Sequence, residues 1–191
     1  MNFSSDNNAG MAPEILAALA AANTGSAPAY GADRITARLA ERFAALFEHE
    51  VAVFPVVTGT AANALALAAL TPPWGAVYCH EAAHAATDEC GAPEFFAGGA
   101  RLIGLPGAAG KVTPATIATR LAAPASVHHA PAAAISLSQT TEAGTIYRPE
   151  EIAAISVLAR AHGLGLHVDG ARFANVVAAL GCTAADLTWR A

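Results

Sequence analysis

The sequence predicts an α/β fold of three layers, in which a mostly parallel sheet carries helices on both faces. From about residue 76 to residue 180, short apolar runs alternate with longer segments of helical periodicity, a pattern typical of strand–helix–strand units. The chain has 191 residues, of which 54% are hydrophobic and 13% charged. A chain of this length and composition can bury a sizeable core and is not a disordered segment. We therefore expect one α/β domain without internal repeats.

The first part of the chain is predicted to be mainly helical. Pro13 suits the first turn of a helix that runs to about Ala22. Asp33 can cap a second helix, in which apolar residues recur at helical spacing. The β-branched run Val51–Val57 predicts a buried strand, and Ala61–Leu70 predicts a further helix.

The remaining elements alternate along the chain. The predicted strands are Ala76–Cys79, Arg101–Leu105, Ala133–Leu137 and Leu164–Val168, and the predicted helices are Thr113–Leu121, Pro149–Ala161, Ala174–Leu180 and a short Ala184–Trp189 capped by Thr183. The strand near Leu166 would leave an apolar edge exposed unless further sequence covers it. We therefore expect residues 1–191 to be part of a longer protein or half of a two-chain assembly.

Composition argues against several classes of protein. The net charge is -5 and the arginines are scattered, which disfavours a nucleic-acid surface. The polar N-terminus lacks a secretion signal, and apolar stretches such as Ala61–Leu70 are shorter than the roughly 20 residues that span a bilayer. Cys79, Cys90 and Cys182 are odd in number and far apart. We expect a cytoplasmic protein with neither a nucleic acid nor a membrane as partner.

A first candidate site is the segment Thr58-Gly59-Thr60-Ala61-Ala62-Asn63, which opens a predicted helix. The free N–H groups of a helix start, together with two hydroxyls, suit a phosphate group. Gly59 lets the backbone approach such a ligand closely. A helix capped by threonine after a tight turn would explain the same residues.

A second candidate site is the segment His167-Val168-Asp169-Gly170-Ala171-Arg172. Asp169 follows a predicted parallel strand, and α/β sheets bind their ligands at that end of the strands. Its carboxylate could hold a protonated ring nitrogen, as a pyridine cofactor requires when it accepts electrons. An aspartate that caps the next helix is the alternative.

A third candidate site is the segment His80-Glu81-Ala82-Ala83-His84, which matches the HExxH zinc motif. On one helix this spacing places two imidazoles on the same face, beside a carboxylate that activates water. The segment follows a predicted strand, however, and the extended form of the motif is absent from Ala85–Glu89. Two histidines near a helix start, with no metal, remain an alternative.

In this order, the segments resemble the threonine aldolase and aromatic amino acid beta-eliminating lyase family of fold type I pyridoxal-phosphate enzymes, over the whole chain. The resemblance implies a truncated large domain like that of aspartate aminotransferase. The matching segments are Ser4–Asn7, Tyr30–Asp33, Thr58–Asn63, His80–Glu94, Ser138–Thr145 and His167–Arg172.

The resemblance implies roles at the cofactor. Gly59 and Thr60, helped by Thr58, would bind the phosphate of pyridoxal 5'-phosphate. His84 would lie over the pyridine ring and handle the proton of the substrate's β-hydroxyl, for which an imidazole is suited. Asp169 would pair with the ring nitrogen.

The resemblance also implies contacts with an amino-acid substrate. Arg172 would hold the substrate or the cofactor, and Ser5 would contact the substrate carboxylate. Tyr30 would line the site, reaching across the interface of a homodimer or homotetramer. One of His128 and His129 is a further candidate for facing the site.

The implied reaction is cleavage of L-threonine or a similar β-hydroxy-α-amino acid to glycine and an aldehyde. In the family, the Schiff-base lysine follows the segment matched by Asp186–Arg190, whereas Lys111 lies in a glycine-rich turn that indicates a surface role. We therefore expect residues 1–191 to comprise an N-terminal arm and most of the cofactor-binding large domain. The end of that domain and the C-terminal small domain would be absent, and the fragment alone inactive.

Three alternatives remain open. A beta-eliminating lyase of the same cofactor class would give a keto acid and ammonia. A zinc hydrolase would use His80 and His84. An inactive remnant would bind the cofactor or form oligomers without catalysis.

Overall fold

The computed structural model of the protein describes residues 8–124 and 126–191. The chain divides into two compact units, one ending at Arg42 and the other comprising Phe43–Ala191. Among the described residues, no helix combines the length and the apolar character that crossing a membrane requires.

Two helices begin where the sequence predicts. α1 comprises Pro13–Ala22, with the proline in its first turn. α2 comprises Arg34–Phe47, and Asp33 caps it: Oδ1 accepts hydrogen bonds of 2.9 Å from the backbone N–H groups of Ile35 and Thr36. A further bond, from the Thr36 hydroxyl to Oδ2, is the largest cause of the lowered pKa of Asp33.

The sheet has four parallel strands, which confirms the predicted fold class. In chain order they are β1 (Ala76–His80), β2 (Arg101–Leu105), β3 (Ala132–Ser138) and β4 (Gly165–Asp169). Their order across the sheet is β2-β1-β3-β4. Because all four run in the same direction, their carboxyl ends lie along one edge of the sheet.

The other α-helices lie before, between and after these strands. They are α3 (Gly59–Leu70), α4 (His84–Thr87), α5 (Ala92–Phe96), α6 (Pro114–Leu121), α7 (Pro149–Ala161) and α8 (Phe173–Leu180). The predicted helix Ala184–Trp189 is shorter in the structure, a 3₁₀ turn at Ala185–Leu187. Thr183 still acts as its cap, because its hydroxyl accepts a bond from the N–H of Asp186.

One face of the sheet carries most of the apolar core. Tyr78, Ile135 and Leu137 point to this face and pack with Ile117 of α6 and Ile152 of α7. All five side chains are nearly inaccessible to solvent. We call this side the apolar face.

The opposite face of the sheet buries a smaller apolar cluster. Val77 and Ala134, the neighbours of Tyr78 and Ile135 in sequence, point to it and pack with Leu67 of α3. Asn63 of α3 is also buried. We call this side the α3 face, and the two together confirm the three-layer arrangement.

The prediction of a buried strand at Val51–Val57 is wrong. The segment forms no strand and pairs with none among the described residues. Its side chains are largely exposed, with Phe54 at 81% and Val57 at 95%. Pro55 has no N–H to donate to a neighbouring strand, and β-branched residues alone do not establish a place in a sheet.

Candidate active site at the carboxyl ends of the strands

Asp169, the predicted partner of a ring nitrogen, is the last residue of β4. Its Oδ2 accepts a hydrogen bond of 3.0 Å from the side-chain amide of Asn63, and its Oδ1 accepts one of 3.1 Å from the N–H of Ala171. The carboxylate is therefore held from two sides, by α3 and by the loop that follows its own strand. Each oxygen retains capacity to accept a further donor.

Asn63 also connects Asp169 to a second acidic group. Its Nδ2 donates to Oε1 of Glu89 at 2.8 Å, and the same oxygen lies 2.9 Å from Nδ1 of His84. The side chain of Glu89 is fully buried, whereas that of His84 is 43% exposed. One side-chain nitrogen or oxygen atom from each of His84, Glu89 and Asp169 lies within 4.8 Å of the other two. We call His84, Glu89, Asn63 and Asp169 the polar cluster.

The polar cluster changes the acidity of His84. Its pKa is raised from the ordinary value of 6.5, mainly by the hydrogen bond to Glu89. Partial burial acts in the opposite direction, while the charges of Glu89, Glu142 and Asp169 add to the increase. A carboxylate beside an imidazole stabilises the protonated ring, which is the physical cause of the shift.

The start of α3 has the properties of an anion site. The hydroxyl of Thr58 accepts a bond of 3.1 Å from the N–H of Ala61, and the N–H of Ala62 donates to the carbonyl of Thr58. The N–H groups of Gly59 and Thr60 precede these bonds and are thus the ones a phosphate can use. The same residues therefore form the helix cap and the predicted phosphate-binding segment.

The helix α3 joins this anion site to the polar cluster. Asn63 lies four residues after Gly59, which corresponds to about 6 Å along a helix axis. Since Asn63 holds both Asp169 and Glu89, the start of the helix and the two acidic groups belong to one rigid arrangement.

A second histidine lies on the same strand as Asp169, two residues before it. Nδ1 of His167, on β4, is 2.8 Å from the hydroxyl of Ser136 on β3. Burial lowers the pKa of His167, although the charges of Asp169 and Glu89 partly oppose this shift. His167 and His84 therefore deviate from the ordinary value in opposite directions.

The HExxH match does not form a pair of histidines on one helix. His80 ends β1 and His84 begins α4, with a turn between them. Nδ1 of His80 accepts a bond from the N–H of Ala82, and its Nε2 lies 3.0 Å from the carbonyl oxygen of Gly107. Both ring nitrogens of His80 are thus engaged with backbone, and the geometry gives the zinc hydrolase no support.

The other residues predicted to contact the substrate are Arg172, Tyr30 and Ser5. Arg172 is half-buried at the start of α8, three residues after Asp169. Tyr30 lies in the unit that ends at Arg42, with a φ of 60° and a fully exposed side chain. Ser5 lies outside the described residues. The substrate roles of these three residues stay predictions.

Two further groups are placed elsewhere. Lys111 makes a bidentate ion pair with Glu151 of α7, with both distances 2.9 Å. His128 and His129 are exposed in the loop before β3, at the amino end of that strand. That one of them faces the site stays a prediction.

Sequence reasoning assigned no role to two members of the polar cluster. Asn63 belongs to the predicted phosphate segment, and Glu89 lies in the segment His80–Glu94 of the resemblance, without a role of its own. Both are buried polar residues, but the partners of Asn63 are 26 and 106 residues away in the chain. The signal for Asn63 is its place in the segment predicted to open a helix and to bind a phosphate.

The chain is similar to known proteins over almost its whole length. A low specificity L-threonine aldolase of Pseudomonas sp. strain NCIMB 10558 is 48% identical over 189 residues, covering 99% of this chain and 55% of the relative. A protein of the same description from Pseudomonas aeruginosa is 49% identical over 189 residues, with the same coverage. The chain thus spans about half the length of the curated relatives it matches.

Solved structures give the same result. The threonine aldolase of Leishmania major superposes with a TM-score of 0.88 and 33% identity, over 94% of this chain and 53% of that one. An Exiguobacterium protein described as a putative aromatic amino acid beta-eliminating lyase/threonine aldolase has the same fold, with a TM-score of 0.70, 24% identity and coverage of 92% and 48%. The family model described as beta-eliminating lyase matches residues 2–191, so the chain belongs to the beta-eliminating lyase family.

Proposed function

We propose that the complete protein is a pyridoxal-phosphate-dependent aldehyde-lyase that cleaves L-threonine or similar β-hydroxy-α-amino acids to glycine and an aldehyde. The observation that carries this proposal is the arrangement of Asp169 and His84, linked through Asn63 and Glu89. It lies at the carboxyl ends of the strands, where ligands bind in α/β sheets. Relatives described as low specificity L-threonine aldolases support the choice of substrate class.

Enzymes of the threonine aldolase and beta-eliminating lyase type depend on pyridoxal phosphate. When bound, this group supplies an electron sink for the pair left on Cα as the Cα–Cβ bond breaks. The chain's own residues fit it at two points. A Cβ placed on Gly59 would meet nothing within 4 Å, which leaves open space before the N–H groups that would hold a phosphate. Asp169 offers a fixed carboxylate to a protonated ring nitrogen.

Each residue at the cofactor has one task in this proposal. Thr58, Gly59 and Thr60 bind the phosphate through backbone N–H groups and hydroxyls. Asp169 holds the proton on the ring nitrogen, and Asn63 orients its carboxylate. Negative charge at Asp169 keeps the ring cationic, which favours electron withdrawal from the substrate.

His84 handles the proton of the substrate's β-hydroxyl. A neutral imidazole accepts that proton as the carbonyl of the aldehyde forms. The raised pKa of His84 makes the ring a stronger base than an isolated histidine. Arg172 would bind the substrate or the cofactor, and Ser5 and Tyr30 would bind the substrate.

The rest of the proposal concerns the whole protein. Residues 1–191 would form the N-terminal arm and most of the cofactor-binding large domain, with the Schiff-base lysine and the small domain supplied by further sequence. The ion pair of Lys111 with Glu151 supports this, because that amine already has a partner.

Free cysteines Cys79, Cys90 and Cys182 support a reducing cytoplasm. We also propose a homodimer or homotetramer.

Two measurements test the proposal on the complete polypeptide. After incubation with pyridoxal phosphate and borohydride reduction, intact mass should increase by one cofactor adduct per chain. L-threonine should then yield equal amounts of glycine and acetaldehyde. A keto acid with ammonia would instead identify a beta-eliminating lyase, and an adduct without any turnover would identify an inactive cofactor-binding protein.

A further inference from the structure

We infer that Glu89 is the positioning residue of the site: it holds the imidazole of His84 with the proton on Nδ1, and so leaves Nε2 as the atom that exchanges a proton with substrate. The first part rests on geometry alone. The second part rests on the proposed function, in which His84 handles the proton of the β-hydroxyl. The proton-handling role of His84 does not itself require Glu89, so the two parts can be separated by experiment.

The hydrogen bonds around Glu89 determine which atom carries the proton. Oε1 of Glu89 accepts from the amide N–H of Asn63, and an amide nitrogen is a donor only. Nδ1 of His84 lies 2.9 Å from the same oxygen. With Oε1 acting as an acceptor toward Asn63, the imidazole nitrogen completes the second bond by donating. Neutral His84 is then protonated on Nδ1, and its Nε2 has no hydrogen-bond partner among the residues that the structure describes.

The buried position of Glu89 indicates that this residue does more than stabilise the fold. Its side chain is fully buried, and Oε2 has no hydrogen-bond partner in the described part of the chain. A buried carboxylate with an unpaired oxygen destabilises a fold relative to an apolar side chain of similar size. Such a residue is explained when another group needs its charge, and His84 is the titratable group to which it is bonded.

Glu89 also affects the pKa of His84. Three acidic groups raise the pKa of His84, and Glu89 is the one that does so through a hydrogen bond. Glu142, which is exposed, and Asp169 act on His84 through charge only. Asn63 bonds to both Glu89 and Asp169, so the same amide that orients the ring-nitrogen partner also fixes the residue that orients His84.

The first experiment measures the protonation of His84 in the unsubstituted protein and uses one variant only to identify its signal. The complete protein, labelled with ¹⁵N-histidine, is studied by NMR with and without pyridoxal phosphate, and the His84 signal is identified by its loss in a His84→Gln variant. Above the pKa of His84, we expect the shifts of a ring protonated on Nδ1 in both forms. A ring protonated on Nε2 would overturn the inference.

The second experiment separates hydrogen bonding from charge. Glu89→Gln keeps an acceptor oxygen for both donors but removes the charge, and we expect the pKa of His84 to fall. Glu142→Gln is the matched control, because it removes one negative charge that acts on His84 without a hydrogen bond, and it should lower that pKa less. Equal shifts in the two variants, or no shift in Glu89→Gln, would contradict a special role for Glu89. Circular dichroism verifies that both variants fold.

The pH dependence of cleavage then tests the link to catalysis. If His84 accepts the β-hydroxyl proton, the acidic limb of the kcat/KM profile should move to lower pH in Glu89→Gln, together with the pKa measured by NMR. A shift of the NMR pKa without a shift of the profile would support the positioning role and overturn the proton-handling role of His84. An unchanged NMR pKa would overturn the positioning role, whatever the activity.

Discussion

The two faces of the sheet differ in what they bury. The apolar face buries large side chains such as Ile135, Leu137 and Tyr147 against α6 and α7. The α3 face buries Val77, Ala134 and Leu67, and beside them a row of polar groups: Asn63, Ser136, His167 and Glu89.

This difference separates stability from chemistry. Large apolar side chains contribute most of the free energy gained on burial, and the apolar face concentrates them. Buried polar groups require a partner for each donor and acceptor, and the α3 face holds them in fixed hydrogen bonds. Substitutions on one face should therefore affect mainly folding, and substitutions on the other should affect mainly the reaction.

The largest effect is expected for Asp169→Ala on the α3 face. Removing the carboxylate takes away the charge that holds a proton on the ring nitrogen, so kcat for threonine cleavage should fall by at least 10²–10³-fold, on the order found for single electrostatic contacts. Asp88→Ala, which removes an exposed carboxylate bonded to Thr87, is the control. Turnover of Asp169→Ala equal to that of the control would disprove the assignment.

One leucine on each face allows the two faces to be compared by the stability that each leucine contributes. Leu137 of the apolar face and Leu67 of the α3 face are exposed by only 2% and 1%. Leu→Ala substitutions in cores cost about 2–5 kcal/mol, depending on how far the site collapses. We expect Leu137→Ala to lie higher in that range than Leu67→Ala, because it belongs to the larger apolar cluster. Urea denaturation of the complete protein measures both values, and the reverse order would remove the distinction between the faces.

A smaller effect is expected at two threonine caps. Thr58 caps α3 and Thr113 caps α6 through the same kind of bond, so alanine at either position should cost about 1 kcal/mol of stability. Only Thr58→Ala should also weaken binding of pyridoxal phosphate, as measured by fluorescence titration. Equal cofactor affinities in the two variants would show that the start of α3 is a cap and no more.

The smallest effect concerns pH. The pKa of His84 is raised above 6.5, so its contribution to stability is fully present below pH 6.5 and lost as the pH rises through the folded-state pKa. The pKa of His167 is lowered from 6.5, so its contribution is present above pH 6.5 and lost as the pH falls through the lowered value. The denaturation midpoints of His84→Asn and His167→Asn are measured across pH 5–8. The difference in midpoint between variant and parent should change with pH in opposite directions for the two variants. Differences that change in the same direction would contradict this assignment of signs.

The fold was predictable because strand–helix alternation is a local signal. The strand Arg101–Leu105 and the helix Pro149–Ala161 have the predicted bounds. The segment Val51–Val57 failed because its composition describes a strand, whereas pairing depends on which neighbour is present.

The site was predictable only in part. Asp169 was identified from its place after a strand, and the phosphate segment from its place before a helix. Glu89 was missed because its meaning depends on two partners, Asn63 and His84, that only the folded chain brings to one oxygen. A buried glutamate has no local signature that distinguishes it from an exposed one.

The turn that contains Gly107 has a consequence for motif searches. A Cβ at this position would collide with the carbonyl oxygen of Lys111, so the turn is reserved for glycine, and His80 bonds to its carbonyl. The first histidine of the HExxH match thus bonds to a loop, while the second belongs to the polar cluster. Two unrelated requirements, four residues apart, can generate the pattern of a metal enzyme without a shared ligand. A search for such enzymes should therefore ask first whether both histidines lie on one helix.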